Sequence, residues 1–191
     1  MPRRKVDLVA GYYYHLYNRG NNRQSIFLED ANYLYFLRLV WKHLAPLMDV
    51  IAYCLMPNHY HFLVRGAAKT PVVSETTGVC PPHDLSNAMM RFGVAYTKAI
   101  NKRYDRVGRL FGGPFRAKYV DRDEYLTHLS RYFHLNPVHA GLVGRPEEWE
   151  FSSYRDYLGL RAGSLPQPGI VMSQFASGDA YRHFVHCYAP C

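Results

Sequence analysis

The chain alternates between short apolar runs and longer segments in which apolar residues recur every three to four positions. The short runs are rich in aromatic and branched side chains and are bounded by turn-forming residues, which is typical of strands. Four strands are predicted, at residues 12–18, 50–56, 59–65 and 115–120. Long helices are predicted from Asp30, from about Leu85 and from Asp121, with short helices at residues 151–158 and 180–188.

Apolar stripes indicate which side of each long helix faces a core. The stripe of the first helix comprises Tyr33, Leu34, Leu37, Val40, Trp41 and Leu44. The stripe of the second helix comprises Leu85, Ala88, Met89, Phe92, Tyr96 and Ala99, with Arg91, Lys98 and Lys102 on its other side. The third helix starts with a capping-box pattern at Asp121 and Glu124 and is expected to end at Pro137, so that Asn136 lies in its last turn.

The predicted element order is β-α-β-β-α-β, followed by a further helix. This order is typical of the ferredoxin-like split βαβ fold, an α+β architecture with an antiparallel sheet of four to five strands and helices on one face. Residues 66–82 have no periodicity and are predicted to form a loop. We expect one domain over residues 1–160 and a C-terminal helical extension over residues 161–191, either packed on that domain or trailing it.

Composition narrows the class of protein. A chain of 191 residues with 48% hydrophobic content is large enough for one globular domain with a core. The net charge of +8 favours a polyanionic partner, nucleic acid first and a membrane surface second, and 17 tyrosines with 10 phenylalanines could supply rings that stack on unpaired bases. The four cysteines show no zinc or disulfide pattern, and no signal or membrane-spanning segment is apparent, so a cytoplasmic protein is expected.

Two short segments carry candidate chemistry. His59 and His61 alternate on a predicted strand, so both side chains project from the same face, and two imidazoles at that spacing can bind one divalent metal ion. Tyr132 and Asn136 are four residues apart on a predicted helix and lie on one face a turn apart. Taken singly, each pair is more commonly structural. Together they provide a metal site and a phenol for attack on a phosphodiester.

Four sequence blocks resemble a known family. They are residues 14–23 (YHLYNRGNNR), residues 56–64 (MPNHYHFLV), residues 108–116 (GRLFGGPFR) and residues 131–143 (RYFHLNPVHAGLV). In these blocks the chain resembles the single-tyrosine transposases of the HUH nuclease superfamily, particularly the REP-associated tyrosine transposases. Tyr60 is a mild departure, because the residue between the two histidines is usually apolar in that family.

The resemblance implies a role for each candidate residue. His59, His61 and Asn136 would bind a divalent metal ion, Mg²⁺ or Mn²⁺, and Tyr132 would be the nucleophile. The implied activity is cleavage and transfer of single-stranded DNA at hairpin or palindromic repeats through a 5′-phosphotyrosine. No nucleotide cofactor is expected. His15 could join the site, whereas His134 and Tyr125 are expected to be structural.

Basic residues form three groups that are candidates for DNA contact. For any single residue, a solvated surface charge is an equally good interpretation. The three groups are the N-terminal residues Arg3, Arg4 and Lys5, the first-turn residues Arg19 and Arg23, and the strand residues Arg116 and Lys118. The strand pair alternates on one face and is the better candidate for phosphate contact.

Two other functions stay open at this point. One is a domesticated nucleic-acid-binding regulator that keeps the fold without turnover. The other is a replication or plasmid-relaxation nickase, which the short chain and the lack of a helicase region disfavour. The helix that carries Tyr132 can reach its own sheet, so a monomer with its site built within one chain is favoured over a homodimer.

Overall fold

The computed structural model describes residues 7–67, 83–121 and 123–187. Its strands are Tyr13–Arg19 (β1), Met48–Met56 (β2), His59–Gly66 (β3) and Arg116–Val120 (β4). Its long helices are Asp30–His43 (α1), His83–Arg103 (α2) and Asp123–His139 (α3). Short helices follow at Tyr154–Tyr157 (α4), Gly169–Met172 (α5) and Gly178–His186 (α6), of which α5 was not predicted. Most of the predicted loop at residues 66–82 lies outside the described residues.

The four strands form one antiparallel sheet in the order β2-β3-β1-β4. Each crossover, β1-α1-β2 and β3-α2-β4, therefore spans one strand of the other unit, as in the split βαβ arrangement. The predicted α+β class and antiparallel four-stranded sheet are confirmed.

Helices α1 and α2 cover one face of the sheet. Alternation along β1 and β3 sends Tyr14, Leu16, Tyr60, Phe62 and Val64 into this core. The stripe predicted for α2 is confirmed in its centre, because Ala88, Met89, Phe92 and Tyr96 are buried there. The same alternation sends His15, Tyr17, His59 and His61 to the opposite face.

The stripe predicted for α1 was partly wrong. Phe36 and Leu39 lie in the core, whereas Leu34 and Trp41 are 51% and 47% exposed. Helix α1 is apolar on more than one side, so periodicity alone does not choose the face that packs on the sheet. The ring of Phe36 makes that choice, because it packs edge-on against Phe92 of α2 at a centroid distance of 4.7 Å.

The predicted placement of helices on one face implied that the opposite sheet face is open. In the structure that face is covered. Helix α3 packs there, and its buried residues Leu126, Leu129 and Phe133 form a second core with Cys54 and Leu63 of the sheet. Residues 161–187 contribute to the same core through Val171, Tyr181 and Val185. Helix α3 is apolar along one side and must bury that side. Because α1 and α2 occupy the first sheet face, α3 packs on the second.

Helix α3 also continues past Pro137 to His139, which corrects the predicted end. Proline lacks a backbone N–H and so loses one hydrogen bond, but near the C-terminus the following residues restore the pattern. Gly141 ends the helix in the left-handed conformation (φ +68°), with the Leu142 N–H donating to the Pro137 carbonyl at 2.9 Å. Among the described residues, no helix has both the length and the apolar content needed to cross a membrane.

Candidate active site

The histidine pair lies at the start of β3, where a tight turn leads in from β2. His59 pairs across the sheet with Arg19, and His61 pairs with Tyr17. The segment after β1 holds the turn in place, because the Gly20 N–H donates to the Asn58 carbonyl at 2.8 Å. The turn is therefore fixed by main-chain hydrogen bonds, and alternation along the strand places both imidazoles on the α3 side of the sheet.

The two imidazoles are close together but differ in their surroundings. Their ring centroids are 5.0 Å apart and the rings are nearly perpendicular, at 87°. His59 is half-buried, whereas His61 is only 7% exposed. Phe133 of α3 stacks on His61 at a centroid distance of 5.2 Å. The predicted placement of helices on one face would leave both histidines open to solvent, and this is wrong for His61, because α3 covers it.

Tyr132 reaches the histidine pair from α3 of the same chain. Its ring lies edge-on to His61 at a centroid distance of 5.9 Å, while 46% of its side chain is exposed. The next residue along the helix, Phe133, is fully buried, so packing of Phe133 turns Tyr132 toward the rim of the site. The phenol is thus held beside a buried imidazole and remains accessible to solvent.

His134 anchors the helix that carries Tyr132. Its Nδ1 lies 2.8 Å from the Tyr181 hydroxyl of α6, and its Nε2 lies 2.9 Å from the Ser153 hydroxyl. The Ser153 hydroxyl oxygen also accepts the N–H of Tyr53 in β2 at 2.9 Å. Complete burial lowers the pKa of His134 to about 3, so the ring is neutral. The structure thus gives His134 a structural role, as predicted.

Asn136 lies one turn beyond Tyr132 and is half-buried. Among the described residues, the Nδ2 of Asn136 and the Nε2 of His61 are both enclosed and without a hydrogen-bond partner. Buried polar atoms are nearly always paired. Seven side-chain atoms in the described part of the chain are enclosed without a partner, and two of the seven belong to candidate ligands. The oxygen and nitrogen of an amide are assigned from hydrogen-bond partners, and with none at Nδ2, Asn136 can present its oxygen in that place instead.

All three histidines of this sheet face are neutral at physiological pH. Burial lowers the pKa of His15 to about 4 and of His59 to about 4, and it holds the pKa of His61 well below its usual value. The positive charge of Lys118 adds to the shift at His15, and that of Arg19 adds to the shift at His59. Neutral imidazoles keep the lone pair that a metal ion requires.

The residues present fit a divalent ion bound by two imidazoles and an amide oxygen. No three His, Cys, Asp or Glu side chains within the described ranges are grouped for metal binding, so no carboxylate joins this set. Two neutral nitrogen ligands and one neutral oxygen ligand would leave coordination positions of the ion open and its positive charge uncompensated, so that a phosphate could bind there.

Three of the predicted basic residues lie on the same sheet face as the histidines. Directly opposed residues of an antiparallel pair share a face, and Arg19 opposes His59, Arg116 opposes Tyr17 and Lys118 opposes His15. All three are exposed. We call Arg19, Arg116 and Lys118 the basic strip. Arg23 is exposed on the turn after β1, and Arg3, Arg4 and Lys5 lie outside the described residues.

Two residues of the site had little or no signal in the sequence. His15 is 8% exposed, and its Nε2 lies 2.8 Å from the Nδ1 of His61. Asn58 has its Oδ1 2.6 Å from the Nδ1 of His59. The pairing of His15 with His61 depends on the β1–β3 register, which the sequence does not reveal. Tyr125, expected to be packed, is 44% exposed, because it lies on the side of α3 that leaves the core.

Comparison with known proteins finds likeness in fold but not in sequence. No family model matches the chain, and no curated protein matches it. A solved structure of a REP-associated tyrosine transposase bound to a REP hairpin superposes with a TM-score of 0.62, at 16% identity over 87% of this chain and 94% of that one.

Two structures of a bacterial tRNA(His) guanylyltransferase-like protein match more weakly. The complex with GTP has a TM-score of 0.41, at 13% identity over 72% of this chain and 71% of that one. The complex with ATP has a TM-score of 0.45, at 12% identity over 96% of this chain and 72% of that one. These scores are too low to bear on function. The chain therefore has an α+β fold of the split βαβ type, and it shares this fold with a REP-associated tyrosine transposase.

Proposed function

We propose that the chain is a metal-dependent single-stranded DNA endonuclease and strand transferase that forms a 5′-phosphotyrosine at hairpin or palindromic repeats. The observation that carries this proposal is the position of Tyr132, whose ring lies 5.9 Å from His61 and is still 46% exposed. A nucleophile must reach its substrate, and Tyr132 combines exposure with contact with the histidine pair, whereas Tyr125 is exposed on the same helix without such a contact among those described. The transposase fold supports the same conclusion.

Tyr132 would act by transesterification. Its hydroxyl oxygen forms a bond to phosphorus as the bond to the 3′ oxygen breaks, which leaves a 5′-phosphotyrosine and a free 3′ hydroxyl. The phenolic proton is lost to solvent, which reaches Tyr132, and the departing 3′ oxygen takes up a proton. A 3′ hydroxyl from a second strand can reverse the step, because the phosphotyrosine bond conserves the energy of the phosphodiester.

His59, His61 and Asn136 would hold a divalent ion, Mg²⁺ or Mn²⁺. When bound, such an ion supplies charge compensation for the phosphate and orients it for attack. The chain's own contribution is a set of neutral ligands on a rigid strand and helix, with His61 shielded from water by Phe133. Shielding from water strengthens the electrostatic interactions of His61 itself, whereas Tyr132 stays open to solvent.

The proposed substrate is single-stranded or hairpin DNA in the cytoplasm. The structure with the same fold is bound to a REP hairpin. In this chain the exposed basic strip runs across β1 and β4 beside the histidines, which suits a backbone that passes over the sheet. Helix α3 packs on the same face, and we expect it to obstruct a continuous duplex more than a single strand.

The test is covalent trapping. Single-stranded hairpin DNA labelled on the 3′ side of the cleavage point is incubated with the protein and Mn²⁺, and a labelled protein band is sought on denaturing gels. Wild-type protein should form the adduct, and Tyr132→Phe should not, because only the hydroxyl is removed. Tyr132→Phe should bind the hairpin as tightly as wild type does.

Tyr125→Phe is a matched control on the same helix, since Tyr125 is also exposed. It should form the adduct normally. An adduct with Tyr132→Phe would refute the assignment of the nucleophile. Hairpin binding by wild-type protein with no adduct in any metal would instead favour the regulator that keeps the fold without turnover.

A further inference from the structure

We propose that Asn58 and His15 are positioning residues that hold His59 and His61 in one tautomer, with the proton on Nδ1 and the lone pair on Nε2. This inference rests on the proposed metal-binding role of the two histidines. A neutral imidazole has one donor and one acceptor nitrogen, and it binds a metal ion only through the nitrogen without the proton. What fixes the tautomer therefore decides whether the pair is ready to bind.

The tautomer of His59 follows from the orientation of Asn58. The Nδ2 of Asn58 donates to the Arg23 carbonyl at 3.2 Å, which identifies the other amide atom as the oxygen. That oxygen lies 2.6 Å from the Nδ1 of His59. Because a carboxamide oxygen only accepts, His59 must carry its proton on Nδ1, and its Nε2 is left with a lone pair.

An unusual turn supplies the carbonyl that orients Asn58. Asn22 and Arg23 are successive non-glycine residues with positive φ, at 50° and 60°. This conformation is uncommon for side-chain-bearing residues and clusters at functional sites. Main-chain hydrogen bonds close the turn, from the Arg23 N–H to the Gly20 carbonyl and from the Gln24 N–H to the Asn21 carbonyl, each at 3.0 Å. The turn thereby directs the Arg23 carbonyl toward Asn58.

The tautomer of His61 follows from its contact with His15. The His15 Nε2 and the His61 Nδ1 are 2.8 Å apart, so one of the two atoms carries the proton. If His15 donated, His61 would carry its proton on Nε2, which is enclosed without a partner. A buried N–H with no acceptor keeps the full penalty of its lost hydration, whereas a lone pair at the same place can be satisfied by a metal ion. The favoured arrangement therefore has His61 donating from Nδ1 to His15, with its Nε2 lone pair available.

The two contacts together leave both histidines with a free Nε2 lone pair, as metal binding requires. Metal-binding histidines usually donate their second ring N–H to an acceptor that orients the ring, and loss of that acceptor typically weakens metal binding by about 10- to 100-fold. Here the acceptors come from two separate places, the turn before β3 and the middle of β1. Each histidine can therefore be tested on its own.

The experiment uses full-length protein in two measurements. First, ¹⁵N NMR of the histidine rings in the absence of metal and DNA reports the protonated nitrogen directly. Wild-type protein should show Nδ1–H at both His59 and His61. Asn58→Ala should release the tautomer of His59 alone, and His15→Phe should release that of His61 alone. Nε2–H at His59 or His61 in wild-type protein would overturn the inference.

Second, Mn²⁺ affinity is measured by titration of the protein without DNA. Asn58→Ala and His15→Phe should each weaken binding by about 10- to 100-fold. His15→Gln should restore it, because a glutamine oxygen can accept at the place of the His15 Nε2. Tyr13→Phe, on the same strand and face but paired with Arg65 instead of a histidine, should bind as wild type does. Because Asn58 is half-buried, its variant tests the inference even if a change at His15 disturbs folding.

The outcomes separate the two proposals. Wild-type Mn²⁺ affinity in both Asn58→Ala and His15→Phe would overturn the inference, while adduct formation by wild-type protein would leave the proposed function standing. Failure of wild-type protein to bind Mn²⁺ would overturn the metal-dependent function, and the positioning role with it.

Discussion

At the scale of single residues, His59 and His61 differ in burial, because one lies at the surface of the molecule and the other in its core. His59 is half-buried and contacts Asn58, whereas His61 is enclosed by His15, Tyr17 and Phe133. Equal spacing on a strand therefore does not give equal surroundings. The energetic cost of removing each ring should differ accordingly.

We predict that His61→Ala lowers the free energy of unfolding by about 2–4 kcal/mol, because it opens a cavity and leaves the Nε2 of His15 without its partner. His59→Ala should cost about 1 kcal/mol or less, since it removes one hydrogen bond from a partly solvated ring. Urea unfolding of the metal-free proteins measures both. Equal losses for the two variants would contradict the burial difference.

At the scale of elements, three successive residues of α3 meet three different environments. Tyr132 is exposed at the site, Phe133 fills the core beneath it, and His134 is buried between α6 and the sheet. Anchoring by His134 fixes the rotation of the helix and so the direction of Tyr132. This anchor also gives the fold a dependence on pH.

We predict that stability falls as the pH is lowered below 6.5, in part because of His134. Its pKa is about 3 in the folded chain and 6.5 in the reference state, so between these values only the unfolded chain takes up the proton. This one group contributes up to about 1.4 kcal/mol of lost stability per pH unit. The pKa values of His15 and His59, lowered to about 4, add loss of the same sign.

Urea unfolding between pH 7 and pH 5 tests this prediction. In His134→Gln the free energy of unfolding should depend less steeply on pH. The difference should correspond to up to about one proton fewer taken up on unfolding. His139→Gln is the matched control, because His139 is an exposed histidine of the same helix and its removal should leave the slope unchanged. An identical slope in wild type and His134→Gln would show that His134 is not the group responsible.

The basic strip gives a prediction for the strand β4. Replacing Arg116 and Lys118 together by Gln should weaken binding of a single-stranded hairpin and lower the slope of log affinity against log salt by up to about two units, one for each lost phosphate contact. Preference for one hairpin sequence over another should remain, because phosphate contacts carry no sequence information directly.

Lys98→Gln with Lys102→Gln is the control of equal charge. Both lysines are exposed on α2, which covers the other sheet face. This double variant should leave the salt slope as it is in wild type. Equal loss of affinity in both double variants would mean that total charge, and not the basic strip, determines binding.

The sequence predicted what depends on local pattern and missed what depends on register and packing. Alternation placed His59 and His61 on one face of a strand, and the 3.6-residue period placed Tyr132 and Asn136 on one face of a helix. Neither pattern contains the antiparallel offset that brings His15 to His61. The burial of His61 was missed for the same reason, because it depends on where α3 docks.

At the scale of the whole molecule, the distance between Tyr132 and His61 bears on the oligomeric state. Both residues belong to one chain, and their rings are 5.9 Å apart without a partner subunit. Helix α3 is fixed on its own sheet by a core that includes Leu129, Phe133 and Tyr181. Exchange of α3 between two copies would require this core to open. The packing therefore brings Tyr132 and His61 together within one chain.

We predict that Tyr132→Phe and His59→Ala do not complement each other. If each site is built within one chain, an equal mixture of the two inactive proteins contains no intact site and should form no adduct with hairpin DNA. If sites were shared across a symmetric dimer, half of the dimers would be mixed, and about a quarter of all sites would be intact. The labelled-adduct assay distinguishes a mixture with no intact sites from one in which a quarter of the sites are intact. The two proteins must be unfolded and refolded together so that subunits exchange. Sedimentation of the wild-type protein with and without hairpin DNA gives the independent measure, since a stable dimer carrying a site within each chain would sediment as two chains and still fail to complement.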